Sequence, residues 1–338
     1  MKSLIQKLVE TPGPSGYEAQ VRSVVRAEVE PFADEVHVDN LGNLIVRKGE
    51  KKTDGLRVML AAHIDEIGLI VTHIDDYGFA RFLPVGAVRP GVCLSSRVRF
   101  LNGALGVIGV ERLSNPGNVP AFEQMFIDFG VASRKACPVR VGDLAVFERP
   151  FQELGERLVA KALDDRISVA ILIETLRRLH QQANAGPHET YFVFSVQEEV
   201  GVRGATTAAY GIDPDLGLAV DVTGAGDTPK GPRMEVSLGK GPAIKVRDQG
   251  MLADPRLVRW LVQTAEGAGV PYQMEILERG GTDAKAIQLT RAGVPAGCIS
   301  IPGRYIHTPS EMVDFGDVQN AVRLLVELLS QPIRLDEV

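Results

Sequence analysis

The sequence predicts an α/β fold interrupted by a β-rich insert. Three observations predict it. Continuous apolar runs of strand length recur along the chain. Amphipathic helical segments lie between them. Over residues 72–158 the helical periodicity fades and short strands with Gly turns take over. At 338 residues the chain is long enough for two domains.

The apolar runs are residues 58–63 (VMLAAH), 191–196 (YFVFSV) and 216–220 (LGLAV). Runs without polar alternation suit strands buried on both faces, as in a helix-covered sheet. Between them, residues 166–180 read as a helix with apolar residues around most of its surface. Strands and helices alternating at these lengths argue for an α/β sandwich. Residues 4–9 read as a first helix ended by the TPGPSG breaker. Ser15 followed by Glu18 fits a capping box, with helical spacing onward through Val29. Residues 40–46 (NLGNLIV) read as a turn and a strand. In the last quarter Asp254 before Pro255 marks a helix start, residues 296–301 form a strand, and residues 315–329 an amphipathic helix. RVRF, ALGVIGV and LAVFE, within residues 72–158, read as a small β-barrel or sandwich inserted into the α/β domain. The domains expected are therefore 1–71 with 159–338, and 72–158.

Composition narrows the function. Hydrophobic residues make up 45% and charged residues 24%, with a net charge of −6. A mildly acidic surface attracts neither nucleic acid nor anionic membrane. No run of about 18 uncharged apolar residues occurs, so no membrane span is expected. Cys93, Cys137 and Cys298 are odd in number and form no CxxC, which reads as reduced thiols. The N-terminal stretch has no signal-peptide pattern. A cytoplasmic protein is expected.

Five segments place metal-ligand residue types at strand ends. In AAHIDEIG, His63 ends a buried strand and Asp65 follows two residues on, where a carboxylate can fix the imidazole tautomer. In KALDDRISVA, Asp164 and Asp165 precede a helix, either as N-caps or with one of them bridging two ions. In FSVQEEVGVRGA, Glu198 and Glu199 follow a strand. Adjacent carboxylates repel unless cations neutralise them, and a division of labour between ligand and proton carrier is natural. In LAVDVTGAGD, Asp221 ends a strand. In SIPGRYIHTPSEMV, His307 lies among Gly and Pro that fix the backbone. His37, His73, His180 and His188 sit in no comparable setting. In open α/β sheets, sites form beyond the carboxyl ends of strands. Nitrogen and oxygen donors together suit Zn²⁺, Co²⁺ or Mn²⁺. Three ligating carboxylates against two divalent ions leave +1, which a bridging hydroxide cancels.

Together these segments resemble the tetrahedral (TET) aminopeptidase family, the glutamyl-aminopeptidase and cellulase-M-like co-catalytic metallopeptidases. PSGYE, VDNLGNLIV, AAHIDEIG, DDR, QEEVGVRGA, AVDVT, LGKGPAI, GGTDA and RYIHTPSEM carry the resemblance over nearly the whole chain, in order. It implies a three-layer α/β/α, phosphorylase/hydrolase-like zinc-peptidase domain with an inserted PDZ-like dimerisation barrel. It implies two divalent metal ions, Zn²⁺ or Co²⁺. His63 and His307 would each ligate one ion, Asp164 would bridge them, and Glu199 and Asp221 would complete the set. Glu198 would be the general base and Asp65 would orient His63. Thr282 and Asp283, in GGTDA, would line the substrate pocket. Lys285 beside them departs from relatives and either favours acidic substrates or pairs with Asp283. The implied partners are peptides and other copies of the chain, as a dodecamer built from dimers.

The alternatives within the fold are a deacylase, an acylaminoacyl-releasing enzyme or a carboxypeptidase. A glucanase would need two carboxylates flanking a sugar and has no use for the histidines. A non-catalytic scaffold would be expected to have lost a ligand or the base, and every position is filled.

Overall fold

In a computed structural model, residues 1–113, 115, 117–182 and 186–335 are described. Four parallel strands form the centre: Glu189–Ser195, Arg57–His63, Leu216–Gly224 and Ala296–Arg304, in that spatial order. Antiparallel strands extend the sheet. Leu44–Lys48 and Glu35–Val38 lie on one side, and Glu311–Asp314, Arg157–Ala160 and Gln152–Leu154 on the other. Ala243–Arg247 and Gln273–Ile276 branch from Ala296–Arg304.

Strand parity divides the sheet into two unequal faces. Val58, Leu60, Ala62, Leu218 and Val220 point to one face. There they meet apolar stripes of helices Lys2–Glu10, Ala19–Val29, Leu163–Gln181, Pro255–Gly267 and Phe315–Ser330. Met59, Ala61 and Val193 point to the other, against the short helices Arg203–Ile212 and Ala284–Gln288. By the same parity His63, Asp221, Thr223 and Lys245 belong to the thinly covered face. The pairing of Ala219 with Ala61 then brings Asp221 level with His63, where the strand Arg57–His63 ends.

A closed barrel leaves this sheet immediately after the AAHIDEIG segment. Its strands, in order around the wall, are Gly68–Ile74, Ala80–Val85, Met125–Asp128, Leu105–Val110, Arg97–Phe100 and Leu144–Phe147. Leu69, Val71, Phe82, Phe100, Ile127 and Phe147 fill its interior. Arg157–Ala160 already pairs with Glu311–Asp314 in the large sheet. The three-layer α/β/α architecture with an inserted barrel is thus the fold the sequence predicts. Among the described residues no helix is long and apolar enough to cross a membrane, and all three cysteines are free.

Two local expectations change. The Ser15–Glu18 capping box does not form. Ser15 Oγ donates to Asp65 Oδ2 at 2.6 Å, and Glu18 accepts from the amides of Gly16 and Gln197. The loop serves the site, and the helix begins beyond it at Ala19. Nor do Asp164 and Asp165 act as N-caps. Leu163–Gln181 starts earlier than expected, its first turn makes no side-chain cap bond, and both aspartates have non-helical backbone angles. By contrast, Pro255–Gly267 starts as expected, with Asp254 Oδ1 accepting from the Arg256 amide at 2.9 Å.

Candidate metal centre

His63 ends its strand, Asp221 lies inside the neighbouring strand Leu216–Gly224, which runs on past it, the Glu198–Glu199 loop follows the strand on the other side of His63, and His307 follows Ala296–Arg304. Asp164 enters from the irregular start of its helix. All of them line a cavity of about 1140 Å³. The two oxygens of Asp164 face different histidines: Oδ1 lies 3.0 Å from His63 Nε2 and Oδ2 3.1 Å from His307 Nε2. Glu199 Oε1 is 3.3 Å from His307 Nε2. Glu198 Oε2 and Asp221 Oδ1 are each 4.0 Å from His63 Nε2.

This donor set fits divalent metal. His63, Asp164 and Glu199 bring one ligand atom each within 4.8 Å of one another, and so do His63, Asp165 and Asp221. Asp165 Oδ1 is buried without a hydrogen-bond partner among the described residues. Of the two aspartates, only Asp164 lines the cavity. Asp165 is fully buried, with Oδ2 accepting from the His63 amide at 3.3 Å.

Asp65 sits behind His63. Its backbone oxygen is 3.1 Å and its Oδ1 3.5 Å from His63 Nδ1, which leaves Nε2 facing the cavity. Its carboxylate also accepts from the Glu198 amide at 2.9 Å and the Glu199 amide at 3.2 Å. The sequence pointed only to the imidazole contact; the hold on the Glu198–Glu199 loop is a second role. That loop needs it, because Gln197 and Val202 flank it with φ of +57° and +49°, a region costly for residues with side chains.

Beneath the site, Glu66 accepts from Lys161 Nζ at 2.9 and 2.7 Å and from the Gly13 amide. Arg166, fully buried, donates to the carbonyls of Leu8 and Thr11. A Cβ on Gly13 would come within 2.8 Å of Arg166 Nη2 and 2.7 Å of Val21, so the glycine of TPGPSG permits this approach. Gly86, with φ of +80°, similarly lets the barrel reach the site. A Cβ there would lie 3.2 Å from the Glu199 side chain.

Among the side chains alone, the two imidazoles offset part of the repulsion among the carboxylates. Burial opposes a charged His63, but Asp164 and Asp65 outweigh it and hold the imidazolium well above its usual range. Burial likewise opposes a charged His307, while Asp164 and Glu199 raise it to about 11. Asp164 resists burial with both histidines and stays well below the usual carboxylate range. Burial, then Asp221, Asp283 and Glu199, push Glu198 well above it, against the pull of His63. Burial, with Asp164 and Asp283, raises Asp221 in the same way. Metal uptake by such a cluster displaces protons.

The pocket wall is only partly as expected. Thr282 lines the cavity, buried. Asp283 does not: its Oδ2 accepts from Ser195 Oγ at 2.5 Å behind the wall, and burial raises its carboxyl to about 6. Lys285 does not pair with Asp283. Lys285 lies over Gly250 and lines the cavity with Arg89 and Arg279, and none of the three side chains has an ion-pair or hydrogen-bond partner among the described residues. Lys245, also lining, is fully buried and engaged by Glu275 at 2.5 Å. Sequence reasoning missed Arg89, Arg279 and Glu311. Glu311 stands four residues after His307 in a segment whose histidine alone drew notice.

Comparison with known proteins identifies the family. Residues 42–324 match the family described as M42 glutamyl aminopeptidase. The chain belongs to that family. It is a metallo-aminopeptidase. The lysyl aminopeptidase of Pyrococcus furiosus is 37% identical over 97% of this chain and 96% of its own. The aminopeptidase structure from Desulfurococcus kamchatkensis superposes with a TM-score of 0.92 at 41% identity, over 97% of this chain and 94% of that one. The TET1 peptidase of Pyrococcus horikoshii, described as assembling into a tetrahedron or a large octahedral shell, gives 0.89 at 32%, over 97% and 98%.

Proposed function

We propose that this M42 aminopeptidase is dinuclear and that Glu198 is its general base. The observation that carries the reading is Asp164, whose two carboxylate oxygens face the imidazoles of His63 and His307 on opposite sides. His63, Asp164, Glu199, Asp221 and His307 would hold two divalent ions, Zn²⁺ or Co²⁺, with Asp164 shared. Bound there, such ions lower the pKa of water and polarise a carbonyl.

The chain's own residues supply the rest. Glu198 reaches the cavity beside His63, where a carboxylate can accept and return a proton. It takes the proton of the attacking water and delivers it to the leaving amine. Asp65 fixes His63 and the Glu198 backbone together, so ligand and base keep one spacing. Thr282 shapes the wall for the first side chain. The unpartnered cations Arg89, Arg279 and Lys285 favour an acidic first residue.

We place the contact between copies of the chain on the barrel, with residues 72–158 as the dimerisation domain and 1–71 with 159–338 as the catalytic one. Leu83 and Leu105, each 50% exposed, offer apolar surface on its wall. A dodecamer in the cytoplasm follows from this reading, supported by the assembling relative and by the free cysteines.

A panel of aminoacyl anilides tests the activity. Free-amine substrates are expected to turn over, N-acetylated ones not, with loss in chelator and recovery when metal is restored. Equal turnover of the acetylated series would favour an acylaminoacyl-releasing enzyme instead.

A further inference from the structure

Glu311 has no part in the chemistry above, yet it touches two of the residues that carry it. It is 3% exposed, opens the strand Glu311–Asp314, and does not line the cavity. Both of its oxygens are engaged by backbone. Oε2 accepts from the Asp164 amide at 2.9 Å, and Oε1 accepts from the His307 amide at 2.9 Å.

These two amides are unusual recipients. Asp164 has φ −77° and ψ 103° at the start of a helix, so its N–H is outside the helical ladder. His307 has φ +60°, and Tyr305 two residues before it has φ +61°. Left-handed backbone at residues with side chains persists only where the surroundings over-determine it. Glu311 is such a constraint. The side chains of the same two residues meet on the other side, with Asp164 Oδ2 3.1 Å from His307 Nε2. Backbone, carboxylate, backbone and side chains close a ring, and the spacing of the two donor side chains depends on the one carboxylate that spans their backbones. His63 lies outside this ring and is held by Asp65.

We propose that Glu311 is a positioning residue that sets the separation of Asp164 and His307 and so tunes metal affinity on the His307 side of the site. This rests on the dinuclear reading, and its effect falls more heavily on the His307 side, where Glu311 holds both donors, than on the His63 side, where it holds Asp164 alone. In Glu311→Gln the amide oxygen still accepts from one N–H, while the NH₂ group faces the other, donor against donor.

The test is titration of chelator-treated wild type and Glu311→Gln with Zn²⁺ against a chelating indicator, alongside urea unfolding of both metal-free proteins. One of the two binding steps should weaken on the order of 10- to 100-fold, the range for partners that orient ligands, with the other step weakened less. The metal-free unfolding midpoint should move little, because the lost acceptor and the relief of repulsion from Asp164 oppose each other. Two unchanged binding steps would overturn the proposal. So would two steps weakened alike with a fall in metal-free stability, the mark of a merely structural residue. If the variant does not fold, amide exchange in metal-free wild type decides. Slow exchange at Asp164 and His307 supports the tie, and fast exchange at either overturns it. Wild type that takes up no Zn²⁺ would remove the dinuclear reading, while the exchange measurement would still judge the tie itself.

Discussion

Asp65 and Glu311 share one task in this site. Each directs both carboxylate oxygens onto backbone amides of residues that face the cavity: Glu198 and Glu199 for Asp65, Asp164 and His307 for Glu311. Such fixing lets the residues they hold keep short, specific distances despite left-handed backbone nearby. As the proposed base, Glu198 would then be free to move protons. Glu198→Gln is expected to bind metal as wild type does and to lose turnover on the order of 10²- to 10⁴-fold, read from metal content and kcat on the same sample. The side-chain preference has its own test. Lys285→Met keeps the stem over Gly250 but removes the charge. The ratio of kcat/KM for glutamyl over leucyl anilide should fall about 2- to 5-fold, as for an exposed ion pair; an unchanged ratio would separate Lys285 from specificity. Residue types alone pointed to His63, Asp221 and His307, because a histidine or aspartate ending a buried strand is conspicuous. They left Asp164 against Asp165 open, since both are acids at adjacent positions, and orientation separates them: one faces the cavity and the other lies beneath it. Glu311 was illegible because a carboxylate that binds backbone leaves no spacing signature.

At the scale of elements, buried strands and long helices were readable because each announces itself by apolar periodicity. What escaped was local chemistry at their ends. Ser15 looked like a cap, but its hydroxyl serves Asp65, and the paired aspartates open a helix without capping it. Tertiary contacts decided both, and no window of local sequence contains them. The barrel shows an ion pair of another kind. Arg99 Nε and Nη2 each donate to Glu148 at 2.7 Å, and this pairing holds the Glu148 carboxyl below its ordinary value despite partial burial. A depressed folded pKa means the pair's stabilisation is present above the unfolded-state pKa and is lost as pH falls through the lowered one. Unfolding measured between neutral and acidic pH should therefore show a smaller acid-side loss in Arg99→Met than in wild type; identical slopes would show that the pair contributes nothing.

For the molecule as a whole, the barrel joins the sheet beside the metal site, and Gly86 brings it against Glu199. Assembly through the barrel would thus act close to the chemistry. Light scattering should give a mass of about twelve times the 36.5 kDa chain, and Leu105→Glu should reduce it to smaller species; a wild-type monomer would contradict the assembly. The three-layer plan was legible because strand parity and helix stripes are repeated many times along the chain. The face on which the site sits was not, since it depends on which helices are long. In the proposed site two ions share Asp164. Metal-to-protein stoichiometry, measured by mass spectrometry on chelator-treated chain reloaded with Zn²⁺ and freed of excess, tests this most directly. Two ions per chain is the predicted result, and a ratio of one or none would contradict it.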